Sequence, residues 1–167
     1  MANMIPISTV TVGSGGAASI DFTGIPQTYT DLLIKISGRN SGTNGIVNLS
    51  FNSDTTAGNY EGRYLEGNGS TVGSFTDQDR AAGYIDGSGS TANTFGNSET
   101  YIPNYTSSNY KSFSVDGLNE NNATTAYSGL FANIWKSTSP ITSITLTTGS
   151  GNFAQYSSAT LYGIRKY

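Results

Sequence analysis

Residues 31–51, DLLIKISGRNSGTNGIVNLSF, decide the fold. Within this stretch, residues 32–37 and residues 47–51 each alternate between large apolar and mostly polar side chains. Alternation with a period of two is typical of half-buried β-strands rather than of amphipathic helices. The segment between the two runs ends in Asn44 and Gly45, a pair suited to the positive φ angles of a tight turn. The stretch therefore predicts two strands joined through a turn.

Similar runs recur along the chain between clusters of Gly, Asn, Ser and Asp. They lie at residues 7–12, 18–22, 81–85, 101–105, 113–115, 131–135, 144–146 and 159–161. About ten short strands separated by turn-forming residues are typical of a β-sandwich or a β-barrel. We therefore predict a single all-β domain over residues 1–167.

Residues 53–100 differ from the rest of the chain. They are poor in periodic apolar residues and rich in glycine, and residues 87–96, GSGSTANTFG, are the most flexible in composition. A connection of this length in a compact domain is uncommon unless it has a function of its own or packs over one end of the sheets. It is either an irregular excursion with one or two strands or a surface that contacts another protein.

The composition excludes several classes of protein. Ser, Thr, Asn and Gly make up 82 of the 167 residues, so helix-forming residues are too few for an all-α fold. The net charge of −3 and the 11 Tyr argue against disorder, and the absence of Cys excludes a disulfide scaffold. The eight basic residues are scattered, so we predict no nucleic-acid partner.

The first residues bear on targeting. Residues 1–12 contain neither the basic region nor the apolar region of a secretory signal, and no window approaches about 18 apolar residues. We expect a chain that is made in the cytosol and has no membrane partner.

Few side chains in this sequence are of the types that usually act in catalysis. The chain has no His and no Cys, and it contains no nucleophile elbow or phosphate-binding loop. Carboxylates are the catalytic type that remains, and a glycosidase needs two of them at a fixed separation. Asp77 and Asp79 are the closest pair in sequence, with Glu61 and Glu66 nearby. Since most loop carboxylates are solvated charges, we predict that the protein is not an enzyme and uses no cofactor.

One loop carries oxygen ligands of the kind that calcium prefers. Asn52, Asp54 and Asn59 lie close together in sequence, but their spacing is not that of an EF-hand. Asx side chains that bond to their own backbone explain the same residues, and we predict no metal.

The tyrosines divide into two groups. Tyr101, Tyr105 and Tyr162 lie in strand-like runs and are predicted to complete the core, whereas Tyr29, Tyr60 and Tyr64 lie among turn residues and are surface candidates. Partner contacts are expected within residues 59–75 and 87–95. The candidate contact residues are Tyr60, Tyr64, Phe75 and Phe95.

The core is predicted from the inward positions of the strand-like runs. These residues are Phe22, Ile34, Ile36, Leu49, Phe51, Phe113, Val115, Phe131, Trp135 and Leu161.

Three segments carry a family resemblance. They are residues 20–36, IDFTGIPQTYTDLLIKI; residues 49–54, LSFNSD, followed by NY at 59–60 and RYL at 63–65; and residues 158–165, SATLYGIR. In this pattern the chain resembles small β-rich virion proteins of tailed bacteriophages, particularly marine and cyanobacterial ones. The resemblance implies a jelly-roll-like β-sandwich that serves as a head decoration (cement) protein or a tail-associated protein. It implies no catalytic residues.

The motif residues also have physical explanations. Pro26 cannot donate to a strand ladder, so the chain must leave a sheet edge there, and Tyr29 and Asp31 can close the corner. Gly163 in the last strand implies a bulge or a close backbone approach.

Two functions follow. The first is a non-enzymatic capsid decoration protein in the virion, made in the host cytoplasm, which forms a homo-oligomer and binds the major capsid protein or other virion subunits on the outer head surface. The alternative is a tail-associated or adhesin-like module that binds a host-surface glycan.

Overall fold

The computed structural model describes residues 3–56, 58–77, 80–120 and 126–165. These residues form strands and no helices, and so contain no helix able to cross a membrane. The strands are β1 (Asn3–Thr11), β2 (Ser19–Phe22), β3 (Asp31–Gly38), β4 (Ile46–Phe51), β5 (Tyr60–Gly67), β6 (Val72–Asp77), β7 (Ala81–Tyr84), β8 (Gly96–Ile102), β9 (Lys111–Glu120), β10 (Ala126–Trp135), β11 (Ile144–Thr148) and β12 (Ser158–Arg165).

The strands form two antiparallel sheets of unequal width. The wide sheet has the order β1-β12-β3-β8-β9-β10-β5-β6, and the narrow sheet has the order β2-β11-β4-β7. This confirms the all-β antiparallel sandwich, with 12 strands where about ten were predicted. The jelly-roll type stays a prediction.

The core lies between the sheets, and most of its strands contribute alternate residues, as β8, β9 and β12 show. All ten predicted core residues are buried, which confirms the inward assignment. At its centre the ring of Phe51 lies 5.3 Å from that of Phe113 and 5.4 Å from that of Trp135, measured between ring centroids. Aromatic rings thus fill the space that the few aliphatic side chains leave.

The predicted turn between β3 and β4 is wrong. These strands belong to different sheets, and residues 39–45 cross from one sheet to the other. Neither Asn44 nor Gly45 has a positive φ. Gly45 is instead required by close packing, since a Cβ there would lie 2.2 Å from the carbonyl oxygen of Ile85.

The prediction of an irregular excursion over residues 53–100 is also wrong, because this stretch carries β5, β6, β7 and most of β8. The inward positions of β5 are Tyr60, Gly62, Tyr64 and Glu66, while Leu65 faces outward. This strand therefore lacks the alternation of apolar and polar residues from which strands were predicted.

The corner between β2 and β3 is formed by the predicted motif residues. Between these strands the chain passes from the narrow sheet to the wide one. The carboxylate of Asp31 is buried and accepts hydrogen bonds from the Tyr101 hydroxyl (2.8 Å) and the Asn104 backbone N–H (3.0 Å). Gly163 is needed for a close approach, since a Cβ there would lie 2.3 Å from Cγ of the Tyr29 ring. The pairing of β1 with β12 shifts register between Pro6 and Ser8 of β1, and not at Gly163.

Candidate functional site

An exposed apolar patch lies on the outer face of the wide sheet. Leu65 on β5 pairs directly with Leu130 on β10, and their exposed fractions are 55% and 57%. Leu118 on β9 and Val72 on β6 are diagonal neighbours on the same face, with exposed fractions of 45% and 86%. We call these four residues the outer patch. Contiguous exposed apolar surface of this kind marks interaction sites.

The outer patch adjoins strand β6, which lies at an edge of the wide sheet and, among the described residues, pairs only with β5. At the opposite edge β1 carries Pro6 and a register shift, two devices that discourage further strand pairing. In contrast, β6 pairs with β5 in unbroken register and contains neither Pro nor Lys. Residues 68–76, NGSTVGSFT, carry no charge. The edge of β6 can therefore accept a strand from another molecule.

The inner face beside β6 carries a row of stacked rings. The ring centroid of Tyr64 lies 4.9 Å from that of Phe75 and 5.1 Å from that of Phe131, and Phe131 lies 5.4 Å from Tyr84. Tyr64 is half-buried and Phe75 is 44% exposed. The structure thus places two of the predicted contact residues side by side at the free edge.

Tyr60 is not a surface residue, and its prediction as a contact residue is wrong. It is 2% exposed, and its hydroxyl oxygen accepts a hydrogen bond from the backbone N–H of Phe51 at 2.9 Å. Burial raises the pKa of Tyr60. This hydrogen bond ties β5 to β4 of the narrow sheet, and the ring of Tyr60 lies next to that of Trp135, with ring centroids 6.3 Å apart.

Phe95 lies apart from the other contact candidates, in a loop that is firmly held. The guanidinium of Arg39 donates to the carbonyl oxygens of Thr91 (2.8 Å) and Thr94 (3.1 Å). The carboxylate of Glu120 accepts the backbone N–H of Thr91 at 2.7 Å. Phe95 itself is half-buried. The loop of residues 87–95 is therefore fastened on two sides despite its glycines.

Side-chain oxygens of Asn52 and Asp54, in the loop considered for calcium, accept hydrogen bonds from protein donors. Oδ1 of Asn52 accepts the backbone N–H of Thr142 at 2.8 Å. Oδ2 of Asp54 accepts Nε1 of Trp135 at 2.8 Å and Nδ2 of Asn59 at 2.9 Å. This is the arrangement in which Asx side chains close loops. Although burial opposes ionisation, the hydrogen bonds from Trp135, Thr56 and Asn59 lower the pKa of Asp54 to about 2.

Two of the carboxylates considered for catalysis, Glu61 and Glu66, have different partners. Glu61 forms an ion pair with Lys136 at 2.5 Å, and Glu66 accepts a hydrogen bond from the hydroxyl of Tyr84. Asp79 and the side chain of Asp77 lie outside the described residues. Among the described residues there is no group of three or more His, Cys, Asp or Glu side chains placed to hold a metal ion.

A polar cleft of about 530 Å³ opens at the end of the wide sheet where β3 and β9 begin. Its walls are Tyr29 and Thr30 before β3, the β8–β9 loop of residues 103–110, and Ser112. Tyr110 is 56% exposed, and the residues that line the cleft carry no formal charge. The prediction from sequence included Tyr29 but missed Tyr110, Asn104 and Asn109, which lie in PNYTSSNY, a run whose turn-forming composition was its only signal.

Two buried ionisable side chains hold the β8–β9 loop. Asp31 accepts the backbone N–H of Asn104, and Nζ of Lys111 donates to the carbonyl oxygen of Asn109 at 2.5 Å. Both side chains are buried, and burial lowers the pKa of Lys111. Within the described part of the chain no carboxylate pairs with Lys111, whose Nζ lies 5.9 Å from the centroid of the Trp135 ring.

Comparison with models of protein families, with curated proteins and with solved structures found no match for this chain.

Proposed function

We propose that this protein is a non-enzymatic structural subunit of a phage virion, a capsid decoration protein that binds the outer surface of the head. The resemblance of residues 20–36, 49–65 and 158–165 to virion proteins of tailed phages supports this function. The partner is the major capsid protein or another virion subunit, and the protein acts as a homo-oligomer in the assembled particle.

The observation that carries the proposal is the outer patch beside the free edge of β6. A patch of four exposed aliphatic side chains next to an edge strand whose residues 72–76 carry no charge offers both apolar area and backbone hydrogen bonds to a partner. Burial of this surface on assembly stabilises the bound state by mass action. The small aliphatic content of the chain is consistent with a protein whose stability is completed by its partner.

The experiment measures binding of the purified protein to phage heads that lack it. Leu65→Asp and Leu130→Asp each place a charge in the outer patch at an exposed position, so the fold is retained. We expect each variant to lose at least tenfold in affinity for heads. Tyr156→Asp is the matched control, because Tyr156 is 70% exposed and lies outside the patch, between β11 and β12. If both Leu variants bind heads as tightly as the control, the outer patch is not the contact surface.

A tail-associated or adhesin-like module remains the alternative, and it depends on a different surface. A decoration protein binds heads without glycan, whereas an adhesin is displaced from its target by soluble saccharide. Binding to purified heads, measured beside binding to host cells with and without soluble saccharide, therefore separates the two functions.

A further inference from the structure

From the chemistry of the cleft between the β2–β3 corner and the β8–β9 loop, we infer that it is a binding site for a neutral saccharide. This inference is independent of the outer patch. Ser112 in the cleft and Leu118 in the patch are six residues apart on β9, which corresponds to about 20 Å along an extended strand. The two surfaces can therefore be altered separately.

The first support is that the β8–β9 loop is held in one conformation by ionisable side chains whose burial is unfavourable. Burying an ionisable side chain is unfavourable unless hydrogen bonds compensate for the lost hydration. Asp31 and Lys111 are both buried, and each bonds to the backbone of residues 104–109. Such groups at both ends of one loop indicate that the conformation of that loop is what they secure.

Further contacts, made by the buried residue Tyr105, fix the same loop. Tyr105 is fully buried, its hydroxyl donates to the carbonyl oxygen of Pro26, and its own carbonyl oxygen accepts the backbone N–H of Ile141 at 3.0 Å. Asn104 has a φ of 49°, a left-handed conformation that asparagine tolerates better than most residues. The cleft is thus largely formed before any ligand arrives, which lowers the entropic cost of binding.

The second support is the set of groups that the loop presents. The side-chain amides of Asn104 and Asn109 make no hydrogen bond within the described residues. Each amide offers both a donor and an acceptor, as do the hydroxyls of Ser107 and Ser112. Sugar hydroxyls also donate and accept, so they match such a set, whereas a charged ligand finds no opposite charge among the lining side chains.

The third support is the pair of tyrosines. The ring of Tyr29 is wedged against the backbone of Gly163, and the guanidinium of Arg165 lies 5.2 Å from its centroid, so Tyr29 forms a rigid wall. Tyr110 is exposed and offers a free ring. A tyrosine ring packs against the C–H face of a sugar while its hydroxyl stays in water, and it loses little conformational entropy on binding.

The test uses the full chain on an array of neutral and acidic oligosaccharides. Binding is then measured by saturation-transfer NMR with the methyl glycosides of glucose, galactose, mannose and N-acetylglucosamine, and with sialyllactose as the acidic probe. We expect retention of at least one neutral glycan. Retention of acidic glycans alone, or of none at millimolar concentration, overturns the inference.

Variants then locate the site. Tyr110→Ala and Asn109→Ala are each expected to weaken binding of the retained glycan at least tenfold, whereas Tyr156→Ala, which removes an exposed tyrosine elsewhere, leaves it unchanged. Equal binding by all three variants places the glycan outside the cleft and overturns the assignment. Thermal melting confirms that each variant is folded, and Leu130→Asp is expected to keep full saccharide affinity, so failure of the proposed head-binding surface does not affect this test.

Lys111 acts as a positioning residue, because it holds the backbone of the β8–β9 loop. Lys111→Met keeps the length of the side chain but removes the donor to the Asn109 carbonyl. We expect a folded protein with weaker saccharide binding and faster hydrogen exchange confined to residues 104–110. Unchanged exchange there, together with unchanged binding, contradicts the role given to Lys111.

Discussion

Asp54 joins a surface loop to the aromatic core through its hydrogen bond from the indole N–H of Trp135. Its carboxylate also accepts the backbone N–H of Thr56 and the amide of Asn59. These donors favour the ionised form, which is why the pKa of Asp54 falls to about 2 despite burial. A loop whose composition suggests a calcium site is closed by this one carboxylate.

The pH dependence of the free energy of unfolding, compared between the wild-type protein and Asp54→Asn, tests this role. Because the folded pKa lies below the unfolded value of about 3.9, the ionised carboxylate stabilises the folded state above about pH 4, and this contribution is lost as the pH falls towards 2. We expect Asp54→Asn to lower the free energy of unfolding at pH 7 by about 1 kcal/mol, typical of a hydrogen bond.

Urea unfolding at pH 7, 4 and 2.5 measures the effect. The difference between the wild-type protein and Asp54→Asn is expected to shrink from pH 4 to pH 2.5. A difference that is the same at all three pH values means that the carboxylate charge plays no part.

The tyrosines show where residue-level prediction succeeds and where it stops. Tyr105 was expected in the core and is fully buried, although it lies in a loop after β8 rather than in a strand. Tyr60 was expected at the surface and is buried. Its flanking residues are turn-forming, but its ring is buried against Phe51 on β4 and Trp135 on β10, which do not adjoin it in sequence. Local composition carries no information on such contacts.

At the scale of elements, the loop of residues 87–95 is ordered by its surroundings rather than by its sequence. Arg39 and Glu120 supply the bonds that its own residues lack. We expect Arg39→Ala to free this loop because the carbonyl oxygens of Thr91 and Thr94 lose their donor.

Hydrogen exchange measured by mass spectrometry checks this expectation. Exchange in peptides covering residues 87–95 should rise at least tenfold in Arg39→Ala, while the strands keep their protection. The matched control is Arg63→Ala, since Arg63 donates to the carbonyl oxygen of Gly62 and has no contact with this loop. Equal exchange in wild type and Arg39→Ala contradicts the role of Arg39.

The sequence pattern does not predict strands β5 and β6, and the reason is physical. Most strands of this protein bury one face, so apolar and polar residues alternate along them. In β5 both faces carry apolar side chains, Tyr64 on the inner face and Leu65 on the outer. In β6 both Val72 and Phe75 are exposed. The pattern used for prediction requires one apolar and one polar face, so it does not detect these strands.

At the scale of the whole molecule, the fold class and the core were predictable and the topology was not. Strands β2, β3, β4 and β9 to β12 bury one face, so apolar residues alternate along them. This alternation is why all ten predicted core residues are buried. Which strands share a sheet depends on pairings between residues far apart in sequence. The separation of β3 and β4 into different sheets therefore could not be predicted from residues 31–51, whose turn residues favour a hairpin.

The candidate surfaces were also predictable only in part. The region around β5 and β6 was expected to contact a partner, and two of its named residues, Tyr64 and Phe75, lie together at the free edge. The outer patch and the cleft were not predicted, because each joins side chains from three or more separate segments. Both surfaces lie on the wide sheet, and each is open to a partner in the isolated protein.

Quantitative mass spectrometry of purified phage particles tests whether this protein decorates the head of a virion, by measuring its copy number relative to the major capsid protein. We expect tens to hundreds of copies per particle, in a fixed ratio to the major capsid protein. Absence from the particle, or only a few copies as in a tail-tip protein, would contradict it.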